Sequence, residues 1–85
     1  MKIQFTEKKV HIPDNVRAYA DKKVSKLSRY FKDDAEGFVV FSVERNRNKA
    51  EITVHAANTY FRASESTSDM FASIDAAISS LERQI

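Results

Sequence analysis

The sequence predicts an α+β domain of order β-α-β-β-β-α, with two helices packed on one face of a four-stranded mixed sheet. Three observations predict it. Apolar and polar residues alternate over residues 2–7 and 50–56, the period of half-buried strands, while residues 16–31 and 70–85 space their apolar side chains as helices do. Short polar turns separate the later strands. The 85 residues allow one domain, residues 1–85, and exclude a two-domain enzyme.

The first strand is expected over residues 2–7, with Ile3 and Phe5 on one side and Lys2, Gln4 and Thr6 on the other. Pro13 and Asp14 open a helix, because proline suits a first turn and Asp can cap N–H groups and complement the dipole. Val16, Ala20, Val24, Leu27 and Phe31 then form a stripe about 80° wide, which predicts an amphipathic helix of about 18 to 20 residues. Gly37 precedes a β-branched and aromatic strand over residues 38–44. Residues 45–49 read as a polar hairpin tip in which Asn tolerates left-handed backbone. The third strand follows over residues 50–56, then a turn at Ala57-Asn58, and a short fourth strand over residues 60–65. Ser66-Thr67-Ser68-Asp69 is a run of N-cap residues ahead of a second helix marked by Met70, Phe71, Ile74, Ala77, Ile78, Leu81 and Ile85.

A strand, helix and strand in succession favour a parallel pair, and the short turns that follow favour an antiparallel meander. One sheet face then takes both helices, and the other, with Gln4, Ser42, Glu51, Thr53, His55, Arg62 and Ser64, is expected to be wet. No apolar run reaches the roughly 20 residues of a membrane span, and the N-terminus lacks the apolar stretch of a secretory signal, so the chain reads as cytoplasmic and free of membranes. Without cysteine there is no disulfide, thiolate nucleophile or Cys-ligated zinc.

Catalytic constellations are missing too. His11 and His55 lie at no metal-ligand spacing and read as surface histidines, so no metal is expected. One glycine cannot build a phosphate-cradling loop, and no G-x-S-x-G turn accompanies the serines. The Asp33/Asp34 pair falls in a connecting loop and reads as solvated. No enzyme, cofactor or small-molecule substrate is expected.

What remains is basic and aromatic. Residues 1–32 hold nine Lys and Arg against Glu7, Asp14 and Asp21, a net of +6, whereas the remainder is −4. On the first helix Lys22, Lys26 and Arg29 fall within about 60° of each other, with Lys23, Tyr19 and Tyr30 at the flank. Cations at this spacing reach successive phosphates, and tyrosine rings can pack on sugars or bases or simply border the core. Arg45, Arg47 and Lys49 at the hairpin tip are a possible secondary contact.

Ser68-Asp69-Met70-Phe71-Ala72-Ser73-Ile74-Asp75 followed by Leu81-Glu82-Arg83-Gln84-Ile85, with Met1-Lys2-Ile3 and Val43-Glu44-Arg45, resembles the ribosome hibernation promoting factor family, also called ribosome-associated inhibitors or ribosomal subunit interface proteins. The resemblance spans nearly the whole chain. It implies a double-stranded-RNA-binding-like fold and a translation inhibitor that binds the small ribosomal subunit through its 16S rRNA. There such proteins occupy the decoding region and keep mRNA and tRNA out. The matching rRNA-binding positions are Lys23, Lys26, Arg29 and Arg83, with Lys22 matching less consistently and Arg17 an additional candidate. Ser80 stands where the family has a basic residue, Phe71 replaces the commoner Tyr, and the family's Lys/Arg-rich extension lies past the position of Ile85. The chain is expected to be a short form or the N-terminal domain of a long form. A reading from another class is a protein interaction module that uses a sheet edge or the small-residue side of the second helix, Ala72, Ser73, Ala76 and Ser80.

Overall fold

A computed structural model describes residues 1–32 and 34–85. Asp33, half of the carboxylate pair noted above, lies outside the described residues. The elements are β1 (Lys2–Lys8), α1 (Asp14–Ser25) continuing as a 3-10 stretch (Lys26–Tyr30), β2 (Glu36–Glu44), β3 (Arg47–Ala56), β4 (Thr59–Thr67) and α2 (Met70–Gln84). The strands lie side by side in sequence order, with β1 and β2 parallel and the other two pairs antiparallel. This is the expected β-α-β-β-β-α order and mixed sheet.

The first hairpin is tighter than the sequence suggested, and the second turns at Ala57-Asn58 as expected. Arg45 and Asn46 have φ of 51° and 63°, Ala57 and Asn58 have 51° and 62°, and in each case two residues link the paired strands. Positive φ at both central positions is the signature of primed turns, whose twist matches that of the flanking strands. The first tip is therefore Arg45-Asn46 and not residues 45–49, and Arg47 and Lys49 belong to β3. Likewise β4 extends over Thr67, so Ser66 and Thr67 are strand residues and Asp69 alone caps α2, its carboxylate accepting from the Phe71 N–H at 3.4 Å. At α1 the N-cap is Pro13, with no side-chain cap bond, and Asp14 acts only through its charge in the first turn.

The first helix departs most from expectation, because its α-helical part ends at Ser25. A 3-10 helix has three residues per turn and a longer rise, so side chains three apart eclipse. Ser25 and Ser28, weaker helix formers than the Lys and Leu between them, bracket the change. The stretch ends with the Phe31 N–H donating to the Ser28 carbonyl at 3.1 Å, and Phe31 itself is extended and packs on Phe61 with ring centres 5.5 Å apart.

The core lies between the sheet and both helices. Val16, Ala20, Val24 and Leu27 meet Val39, Phe41, Ile52 and Val54 from the sheet and Ile74, Ala77 and Leu81 from α2. Each large side chain so buried contributes about 1.5–3 kcal/mol. Packing over Gly37 is close, since a Cβ there would stand 3.3 Å from Val24 Cγ1 and 3.2 Å from Met1 Sδ. The opposite face is less wet than expected. Thr53 is buried there, its hydroxyl accepting from Arg62 Nε at 3.2 Å, and Phe38 and Val40 are half-buried beside it.

Candidate nucleic-acid interface

Four predicted contact residues form one exposed ridge. Lys22 and Lys23 occupy the last turn of α1, where cations complement the helix dipole. Lys26 lies one turn beyond Lys22, and the 3-10 geometry then eclipses Lys26 with Arg29. The change of helix type thus keeps the cations in line. Among the described residues the ion pairs are Arg17 with Glu7 and Arg29 with Glu82, so Lys22, Lys23 and Lys26 have no carboxylate partner there; Lys22 and Lys26 are exposed and Lys23 is half-buried.

The flank of α2 that faces this ridge is acidic. Tyr19 donates to Asp75 Oδ1 at 2.6 Å, its ring sits edge-on to Phe71 at 5.1 Å, and Lys23 Nζ lies 5.3 Å from the ring centre. The hydrogen bond to a carboxylate, with burial and the carboxylate's charge, raises the Tyr19 pKa above its ordinary 10.0. Further along, Arg29 Nη2 is 3.6 Å from Glu82 and donates to the Tyr30 hydroxyl at 2.8 Å, and that hydroxyl reaches Glu82 at 3.4 Å. Tyr19 therefore ties the helices together, whereas Tyr30 stays substantially exposed under the Arg29 guanidinium, 4.9 Å from its ring centre.

Two other candidates lie elsewhere. Arg83 follows Glu82 by about 100° around α2, which turns it away from α1. Arg17 sits on the β1 side of α1, its guanidinium 5.9 Å from the Phe5 ring centre and 3.3 Å from Glu7. Glu7 also accepts the Ile12 N–H at 2.6 Å, and this bond, with the charges of Arg17 and His11, holds its pKa below the usual 4.5. This cluster fastens the β1–α1 connection.

The hairpin residues Arg45, Arg47 and Lys49 come together, and Lys8 and Lys9 join them in a cleft of about 490 Å³. Sequence reasoning missed these two lysines, since only the parallel register that sets Lys8 beside Ser42 brings them there. On the small-residue side of α2, Ala72 is exposed and Ala76 and Ser80 are half-buried. Ser73 is fully buried, its hydroxyl donating to the Asn48 carbonyl at 2.5 Å and accepting the Thr67 N–H at 3.1 Å. Ser73 thus seats the start of α2 on β3 and β4. Among the described residues no helix is long and apolar enough to cross a membrane.

Comparison with known proteins agrees with the fold. The chain is 35% identical over its whole length to a ribosome hibernation promotion factor of Lactococcus lactis, of which it covers 48%, and 29% identical to a ribosome hibernation promoting factor of Azotobacter vinelandii, of which it covers 79%. It thus spans about half the length of the Lactococcus protein. The N-terminal domain of Thermus thermophilus Protein Y superposes with a TM-score of 0.89 at 33% identity, covering 99% of this chain and 94% of that one. A ribosomal subunit interface protein from Coxiella burnetii shares the fold, with a TM-score of 0.86 at 22% identity over 99% of this chain and 92% of that one. Residues 3–85 match the model of one family, and the chain belongs to it: the sigma 54 modulation protein / S30EA ribosomal protein family.

Proposed function

We propose that this chain is a ribosome hibernation factor, a non-enzymatic cytoplasmic regulator that binds 16S rRNA in the decoding region of the small ribosomal subunit and keeps mRNA and tRNA out. The observation that carries this reading is the unpaired ridge of Lys22, Lys23 and Lys26, continued by Arg29, on a chain whose relatives are named for ribosome hibernation. Such a ridge meets phosphates spaced along folded RNA and selects shape more than base sequence. Exclusion is steric, so no cofactor takes part. Arg17 and Arg83 stand off the ridge and serve as peripheral contacts.

Co-sedimentation with isolated small subunits across a salt series, beside free double-stranded RNA of similar mass, tests the reading. Near-stoichiometric binding to the subunit, weakening with salt, and poorer binding to free RNA are expected. Lys23→Glu with Lys26→Glu should keep the fold and abolish binding. A double variant that still binds normally removes the ridge from the interface.

A further inference from the structure

We propose that the cleft at the hairpin end of the sheet is a second phosphate-binding site, which takes the backbone of a nucleic-acid strand independently of the α1 ridge. Lys8, Ser42, Lys49 and Ser66 lie in one lateral row across all four strands. Ser42 and Lys49 neighbour the inward-facing Phe41 and Ala50, so this row faces away from the helices. Lys9, Arg45 and Arg47 complete its cationic lining, and the site therefore lies on the opposite layer of the molecule from Lys23 and Lys26.

Two features set the cleft apart from an ordinary charged strand end. Glu44 is the one carboxylate among its lining residues, and the ion pairs of the described residues lie elsewhere, so mutual repulsion among the cations goes largely unrelieved. In addition, Lys9 and Arg45 have φ of 57° and 51°, left-handed backbone that suits Asn or Gly far better than a long side chain. The fold gains nothing from a cation at either position, whereas a polyanion does. Arg47 is steadied by its 2.6 Å bond to the Ser66 carbonyl and keeps further guanidinium donors for a phosphate. Val43 is the only sizeable apolar lining residue, too little to anchor an acidic peptide, while a phosphate backbone asks only for charge and hydrogen-bond donors. If the ridge binds rRNA as proposed above, the domain holds two RNA segments on opposite layers, and each contact raises the effective concentration for the other.

The test is titration of a short oligouridylate into isotope-labelled protein, followed through backbone amide shifts, in three forms: unaltered, Lys23→Glu with Lys26→Glu, and Lys9→Asn with Arg45→Asn. An oligoglutamate of equal charge runs beside it. The amides of Lys8, Lys9, Arg45 and Arg47 should shift in the first two forms. In the Asn double variant the shifts should vanish, the salt dependence of log K should flatten by about 0.7 per lost contact, and the thermal midpoint should hold or rise, because Asn relieves the left-handed positions. A loss of binding therefore cannot be mistaken for unfolding. Shifts confined to Lys22 through Arg29 overturn the cleft and leave the proposed function standing. Shifts in the cleft while subunit binding fails overturn the function and keep the cleft. An equal response to oligoglutamate overturns the nucleic-acid assignment.

Discussion

The Tyr19 hydroxyl donates a 2.6 Å hydrogen bond to Asp75 Oδ1, joining α1 to α2 beside the cationic ridge. Tyr19 also carries Lys23 above its ring, so the bond that fixes the tyrosine also orients one end of the ridge.

This bond has a pH signature. Asp75 raises the Tyr19 pKa above 10.0, because a phenolate beside a carboxylate is disfavoured. A group whose folded pKa is raised contributes stability that is complete below the unfolded value and disappears as pH climbs through the folded one. Tyr19→Phe should therefore melt below the unaltered protein at neutral pH, and the two should converge above pH 10.0. Thermal midpoints measured from neutral to strongly alkaline pH decide it, and a difference that stays constant throughout would mean that the hydroxyl does not act through Asp75.

Ser73→Ala tests the seat of α2. The hydroxyl lies fully buried between the Asn48 carbonyl and the Thr67 N–H, and a methyl group there leaves polar groups of two neighbouring strands without a side-chain partner. A loss of about 1–3 kcal/mol is expected, read as a lower denaturant midpoint with an unchanged slope. A neutral result would mean that water or the adjacent Thr67 hydroxyl, 2.8 Å from the serine, takes over those bonds.

Where the sequence spoke clearly, one period dominated. The alternation of β1 and the apolar stripe of α2 each admitted one structure, and the short turn at Ala57-Asn58 left only a meander. The break in α1 was hidden because Val24 and Leu27 face the core in either helix type, so the stripe does not register a change of pitch. Arg47-Asn48-Lys49 carries no apolar alternation, and its place in β3 comes from the two-residue turn before it. The ridge was legible because its members are near in sequence. Tyr19 with Asp75, Arg29 with Glu82, and Lys8 with Lys49 depend on packing and register between distant segments, which no local pattern records.

Glu82 sits 3.6 Å from Arg29 on the RNA-facing side proposed above, and both side chains are well exposed, 39% and 67%. An exposed pair of this kind adds about 0–1 kcal/mol to stability. Its larger effect is on ligands, because the carboxylate repels a phosphate that approaches Arg29 and competes with it for the guanidinium. Glu82→Gln keeps the size and a hydrogen-bond acceptor for the Tyr30 hydroxyl while it removes the charge. The variant should bind small subunits about two- to fivefold more tightly, equivalent to under about 1 kcal/mol. The gain should shrink as salt rises, since it comes from relief of repulsion, and the thermal midpoint should move by only a few degrees. Weaker binding would reverse the assignment, making Glu82 the group that holds the Arg29 guanidinium in position for the RNA.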